Sequence, residues 1–445
     1  DRGQSAALIR GADGALGIVT DRDLRARAVA KGLPAEAPVT AVTTVPAIAV
    51  GPDRPGTDVM LTMLEHDVHH VPVLSDTLEL IGMIDSADML AAERRGPLLL
   101  RRAIAESTST AELEAAASTL RPTVVSMHRA GMSAPRIGKV ISAIADALTR
   151  RAIELTQAKL GDPPAEFAWL ALGSHGRREP MPSSDIDSGM AWRDRALEQP
   201  ADEPVVGYMR AIASGVADCM SEVRWNLDPH GVTATGDFSA SSSDQWAEAI
   251  HDWLERQTDE RVGLAISITM DARVVHGPPD LDPRNFLWEE RHRSRLIRSM
   301  LRSAIATRPP TGFLRDIVVE HGGEHRGTLD IKRGGIGPVV NMARVAALGA
   351  ETRDTSTIDR LHAACDAGTL EEDEAGSLEH AYELFAELRL EHQVRQLERG
   401  EQPDDHLDPR TFEPLYRRYL RDAFREVAAI QRSMERKLDL ARGRI

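Results

Sequence analysis

Apolar positions along the chain change period several times, and each change marks a new element. Ser5-Ala6-Ala7-Leu8-Ile9, the turn Gly11-Ala12-Asp13-Gly14 and Leu16-Gly17-Ile18-Val19-Thr20 read as strand, turn and strand. Asp21-Arg22-Asp23-Leu24 then opens a helix with an acidic first turn. A related pattern runs from about Thr40 to Leu90. It predicts a strand near Pro46 to Val50, a helix near Thr57 to His66 and a strand at His70 to Leu74. Leu80-Ile81-Gly82-Met83-Ile84 and Asp85-Ser86-Ala87-Asp88-Met89-Leu90 complete it. From Pro97 to Gly161 the spacing turns helical, through Ile104, Leu113, Leu120, Val124, Ile137, Ile141, Ile144 and Leu148. Gly131, Ser133 and Pro135 punctuate this stretch into at least two helices, and Gly161-Asp162-Pro163-Pro164 ends it. Phe167 to Leu172 is an apolar strand. Gly263 to Gly277, where Leu264, Ile266 and Ile268 alternate with small or polar residues, predicts another. Between them a polar loop, Ser239 to Asp244, caps the helix of Trp246, Ile250 and Leu254. After Pro283 the pattern is helical nearly to the end, interrupted by the island Thr328 to Pro338, which opens the apolar helix Val339 to Leu348.

At 445 residues this is a chain of several domains. Its net charge of −15 makes it a poor general binder of DNA or RNA, which require a basic footprint. Arg291, Arg293, Arg295, Arg298 and Arg302 cluster locally, but at helical spacing among apolar residues, as on a solvated helix face. The two cysteines, Cys219 and Cys365, form no disulfide framework and no zinc spacing, as expected of thiols in a reducing, cytoplasmic compartment. No apolar run approaches a membrane span. His321-Gly322-Gly323-Glu324-His325 is not a zinc helix, because its glycines break the helix such ligands need.

The candidate chemistry lies in Leu172-Gly173-Ser174-His175-Gly176-Arg177-Arg178-Glu179 and, beyond a short spacer, Ser184-Asp185-Ile186-Asp187. On an extended segment Asp185 and Asp187 share one face, while Ile186 points to the core. Two such carboxylates repel unless a cation lies between them, and Mg²⁺ suits them when a phosphate supplies further oxygens. A Gly-Ser turn leading into a helix offers N–H groups and a hydroxyl to an anion. This pattern resembles the nucleotidyltransferase superfamily that includes DNA polymerase β, and in its longer form the protein-PII uridylyltransferase branch and its bacterial relatives that carry CBS domains. The resemblance implies a third carboxylate on a neighbouring strand, for which Asp271 stands at the matching place. It also implies that Asp185, Asp187 and Asp271 hold two Mg²⁺ ions, that Gly173 and Ser174 cradle phosphates, and that Arg177 or Arg178 neutralises the leaving group. Glu179 would orient the loop. Asp330-Ile331-Lys332-Arg333-Gly334-Gly335 resembles the segment that follows the catalytic domain in that branch. Lys332 and Arg333 would either approach the triphosphate or stand as two solvated bases at a helix start.

The first hundred residues look like a tandem CBS module whose first copy lacks its opening strand and helix, so that the chain reads as part of a longer protein. Gly17, Thr20 and Asp23 match the segment that holds an adenosine ribose in such modules, and Thr20 and Asp23 equally suit helix capping. The second copy keeps Gly82 and Asp88 but has Asp85 where the family prefers a hydroxyl. The expected fold is α+β and multidomain: a partial tandem CBS module (1–95), a helical connector (96–160), a polymerase β-like nucleotidyltransferase core (161–282) and a C-terminal helical, substrate-binding domain (283–445). The resemblance implies transfer of UMP or AMP from an NTP to a protein acceptor in PII-like signalling. It further implies an adenine nucleotide as CBS effector, a homodimer through the CBS module, and neither nucleic acid nor membrane as partner. A catalytically silent nucleotide sensor and a small-molecule nucleotidyltransferase are the alternatives.

Overall fold

Leu8 faces Ile18 across the first hairpin, where β1 (Ala6–Arg10) and β2 (Leu16–Thr20) run antiparallel. The computed structural model describes residues 5–11, 15–86, 89, 96–193, 203–225, 227–228, 232–236, 240–256, 260–289, 293–310 and 325–442. The chain divides into two units, 1–99 and 100–445. In the first, α1 (Gly56–His66) buries Val59, Met60, Met63 and Leu64, a helical stripe. β3 (His70–Leu74) pairs antiparallel with β4 (Leu80–Asp85). The strand expected from Pro46 to Val50 does not form. Pro46 has no N–H to give a ladder, and only Val50 makes a bridge, with Val73.

The division falls within α2 (Pro97–Glu106), and the second unit continues with α3 (Thr110–Ala117), α4 (Leu120–Arg129) and α5 (Ala134–Leu160). Along α5 the buried Ile137, Ile141, Ile144 and Leu148 keep to one face. β5 (Phe167–Ala171) follows and is buried at every position, because it lies inside a four-stranded sheet of order β7-β6-β5-β8. β6 (Ser188–Trp192) and β8 (Arg273–His276) flank it antiparallel, and β7 (Ala240–Ser242) runs parallel to β6. α6 (Glu203–Glu222) packs on α5. α7 (Ser243–Glu255) starts at a capping box of Ser242 and Gln245, so the expected cap is present, but Ala240–Ser242 of the expected loop is strand β7 and Ser239 lies outside the described residues.

The stretch from Gly263 is not a strand. It belongs to α8 (Glu260–Met270), and extended structure begins only at Arg273. Leu264 is exposed whereas Ala265, Ile266, Thr269 and Met270 are buried, so the operative period is that of a helix and the apparent alternation was incidental.

The C-terminal part is helical: α9 (Arg293–Ala306), α10 (Gly337–Ala350), α11 (Thr357–Asp366), α12 (Glu372–Glu398) and α13 (Pro414–Arg442). A two-residue ribbon joins β9 (Leu329–Asp330) to β10 (His406–Leu407). Its core includes Val339, Ala343, Phe385 and Phe424, the last two stacked at 4.9 Å. Among the described residues no helix is long and apolar enough to cross a membrane.

The sheet and α7 are joined by Trp246, whose buried Nε1–H donates to the Met190 carbonyl at 3.1 Å. Trp246→Phe removes that bond and opens a void, and should cost about 2–3 kcal/mol in urea unfolding. A cost below about 0.5 kcal/mol would contradict this packing.

Candidate active site

β5 ends at Ala171, and after Leu172 Gly173–Gly176 forms one short helical turn. The Leu172 N–H donates to the Asp187 carbonyl at 3.0 Å, which brings the two ends of the signature together. Gly173 has φ 52°, and a Cβ there would lie 2.1 Å from the Asp187 Oδ2. Only glycine fits, and the Asp187 carboxylate therefore rests against the backbone of the turn. From Ser184 to Ser188 burial alternates: Ser184, Ile186 and Ser188 are buried, Asp185 and Asp187 half-buried. The two carboxylates share a side, as the spacing requires.

Burial first, then the charges of Asp228 and Asp185, push the Asp187 carboxyl up to about 6 against the pull of Lys332 and Arg177. Asp228 is the acidic neighbour the sequence reading missed. Leu227 bridges Ile186 in parallel, and the Asp228 N–H donates to the Ile186 carbonyl at 3.3 Å. Asp228 also accepts from the Val232 N–H at 2.8 Å. No periodicity surrounds it, so it carried no signal in the sequence.

Asp271 does not join the pair. Its carboxylate is wholly buried and is bound by Arg177, by Arg344 and by Arg360, the last at 2.8 Å. Burial alone would raise its pKa, but Arg344, Arg177 and Arg360 outweigh burial and hold it well below the usual carboxylate range. With its oxygens saturated by guanidiniums, Asp271 is an ion-pair hub and not a metal ligand. Arg177 is correspondingly not available to a leaving group: it bridges Asp271 and Glu179, with Nε 2.8 Å from the latter. Glu179 does orient the loop. Its Oε1 accepts from the Thr357 N–H at 2.5 Å and its Oε2 from the Thr357 hydroxyl at 3.0 Å, so it caps α11. Arg178 takes a left-handed φ of 61° between them.

The C-terminal domain supplies Lys332. It is exposed in the turn Lys332–Ile336, and its charge acts on Asp187, His175 and Asp405. Arg333 is exposed beside it, with its N–H donated to Asp330 at 2.8 Å. Gly335 serves packing, since a Cβ there would approach Phe385 to 3.0 Å. His175 is buried, burial pushes its pKa down to about 4, and neither ring nitrogen finds a partner among the described residues. His175 and Asp187 line one cavity of about 10 Å³, close to the volume one water needs. Arg273 grips Asp146 of α5 at 2.8 and 2.9 Å and donates to the His175 carbonyl at 3.0 Å, which anchors the turn from below. Among the described residues no three His, Cys, Asp or Glu side chains are grouped to hold a metal ion. What the site offers is the Asp185–Asp187 pair, a donor set of the size Mg²⁺ uses when phosphate oxygens and water complete its shell.

In the first unit Thr20 and Asp23 form a capping box: the Thr20 N–H and hydroxyl donate to Asp23 at 3.0 and 2.7 Å, and the Asp23 N–H donates back at 3.3 Å. Gly17 packs against Thr43. Asp85 pairs with His70 at 3.0 Å. Asp88 and residues 321–324 lie outside the described residues, and His325 stacks on His406 at 3.5 Å.

Two aspartates thus carry opposite shifts, and their substitutions should move stability in opposite directions. Asp271→Asn leaves buried arginines short of a counter-charge and should cost about 3–5 kcal/mol at pH 7. The stability Asp271 supplies is complete above the unfolded-chain value near ~4 and is lost only as pH falls through its depressed folded value. Asp187 has a raised folded value, so its ionisation weakens the fold as pH rises from about 4 to about 6. In EDTA, Asp187→Asn should therefore stabilise by about 1–2 kcal/mol at pH 7 and by nothing near pH 4. Calorimetric melting of both variants against pH checks this, and two changes of the same sign at pH 7 would contradict it.

Three family models match the chain: "CBS domain" over residues 39–95, "Putative nucleotidyltransferase DUF294" over 118–260, and "Putative nucleotidyltransferase substrate binding domain" over 294–438. No curated protein matches it. The second match contains the whole signature with Asp185, Asp187 and Asp228, and the third contains Lys332, Arg344 and Arg360. With all three in this order, the chain belongs to the CBS-linked family of DUF294 putative nucleotidyltransferases.

Proposed function

We propose that the protein transfers a nucleoside monophosphate, UMP or AMP, from an NTP to a side chain of an acceptor protein. The observation that carries the reading is the site's polarity: two carboxylates on one side of an extended segment, one resting on the Gly173 turn, with the Lys332 cation acting on it from the C-terminal domain. Mg²⁺ suits Asp185 and Asp187 because Asp187 is disfavoured as an anion by its surroundings, and a hard cation relieves that cost. Such an ion, when bound, neutralises phosphate charge and lowers the pKa of an attacking hydroxyl. Lys332 would hold triphosphate oxygens as a point charge, and Ser174 on the short turn would contact them from the other side. Arg177 and Asp271 would keep the turn in place.

The acceptor, and a place in PII-like signalling in the cytoplasm, rest on the likeness to the uridylyltransferase branch. An adenine nucleotide as effector and pairing of two copies through the CBS module rest on the CBS match. For the effector, the Thr20–Asp23 box is the starting point, since ribose hydroxyls would replace bonds those side chains now make to each other.

Incubation with each labelled NTP, Mg²⁺ and cell extract tests the reading. One NTP should label a protein band, and Asp185→Asn should lower labelling about 100-fold or more while melting as the parent does. Full labelling by the variant, or label confined to small molecules, would overturn it.

A further inference from the structure

Asp405 belongs to none of the motifs above, yet it touches both halves of the site. It lies in the loop between α12 and β10, and its Oδ1 accepts from the Ser183 hydroxyl at 2.9 Å, from Arg389 Nε at 2.6 Å and from Gln393 Nε2 at 2.7 Å. Arg389 Nη2 donates to the other carboxylate oxygen at 3.1 Å and to the Ser183 Oγ at 3.0 Å. Gln393 closes the ring from both sides. Its Nε2 donates to Ser183 Oγ at 2.8 Å, and its Oε1 accepts the Ser183 N–H at 3.2 Å. Arg389 and Gln393 are buried on α12, so this ring is fixed in the C-terminal core. Ser183 stands two residues before Asp185. On its main chain, Asp405 does the same for the opposite half: its carbonyl accepts the Ile331 N–H at 3.0 Å, one residue before Lys332.

One residue therefore holds the turn just before the carboxylate pair by its side chain and the turn of the cation by its backbone. The acids come from the core and the cation from the helical domain, so their separation is a property of how these parts are joined. Charge alone would not set it, because the exposed Lys332 has a flexible stem. We propose that Asp405, with Arg389 and Gln393, is a positioning residue that fixes the distance between the Asp185–Asp187 pair and Lys332 for Mg²⁺–NTP. This deepens the transferase reading and rests on it. The electrostatics agree: burial opposes the Asp405 anion, and Arg389 first and Lys332 after it outweigh burial and hold its pKa low.

The test uses the full chain and three variants. Ser183→Ala breaks the hydroxyl link but leaves the Arg389–Asp405 pair intact, Ser183→Thr keeps a hydroxyl, and Asp405→Asn removes the charge. Two readings are taken: Mg²⁺–NTP affinity by calorimetry, with the NTP that supports labelling or ATP if none does, and kcat and KM for transfer of labelled nucleotide to protein, with release of pyrophosphate, in cell extract that supplies the acceptor. Ser183→Ala should keep the parent's melting temperature to within a few degrees. It should lose about 10-fold to 100-fold in kcat/KM, with weakened Mg²⁺–NTP binding, because displacements of order 1 Å carry costs of that size. Ser183→Thr should restore most of the loss, and Asp405→Asn should lose at least as much as Ser183→Ala. A purely structural role predicts lower melting temperatures with unchanged kcat/KM per folded molecule, and that result would overturn the proposal. So would parent-like binding and turnover in Ser183→Ala. If the parent binds Mg²⁺–NTP but transfers no label to protein in the extract, the transferase reading falls, and positioning is still decided by the binding data. If the parent binds none, both fall.

Discussion

A carboxylate removed from water must be neutralised by what surrounds it, and Asp271 is neutralised by guanidiniums from three separate elements. Arg177 comes from the signature loop, Arg344 from α10 and Arg360 from α11. A shift of the signature loop would take Arg177 away and leave buried Asp271 to Arg344 and Arg360 alone. Glu179 reinforces the constraint by capping α11, and Arg273 clamps the turn to α5 through Asp146. These ion pairs hold the loop in one place, and the contact of Gly173 with Asp187 then turns that loop into one wall of a site.

The same residue type does two jobs a short distance apart along the fold. Asp271 is surrounded by positive charge and is held ionised; Asp187 is surrounded by burial and other acids, and its ionisation is resisted. The first arrangement stabilises the fold. The second disfavours the anion, a cost that a cation or a proton would relieve. The Asp185–Asp187 pair comes from the core, and Lys332, whose charge acts on Asp187, comes from the helical domain, within the residues matched as the substrate binding domain.

Much of this was legible in the sequence. The hairpin of β1 and β2, α1, β3 and β4 followed from short-range periodicity, and the Asp-x-Asp spacing gave the shared face of Asp185 and Asp187 directly. Misreadings arose where period and tertiary context disagreed. Leu264, Ile266 and Ile268 alternate as in a strand but lie in α8, where the buried positions are Ala265, Ile266 and Thr269. Asp271 stood where a ligand was expected, and nothing in its neighbourhood announced Arg344 and Arg360, which lie 73 and 89 residues away. Asp228 and Asp405 were invisible for the same reason: their partners are set by long-range packing, and both sit in loops with no repeating pattern.

The proposed cation site is the Asp185–Asp187 pair, without Asp271. Crystals of the full chain grown with Mn²⁺ and a non-hydrolysable NTP analogue, measured for anomalous scattering at the manganese edge, address this directly. Density should lie about 2.0–2.3 Å from oxygens of both Asp185 and Asp187 and from phosphate oxygens, with Asp271 still bound by its three arginines. A manganese peak coordinated by Asp271, or none at the Asp185–Asp187 pair with nucleotide bound, would contradict it.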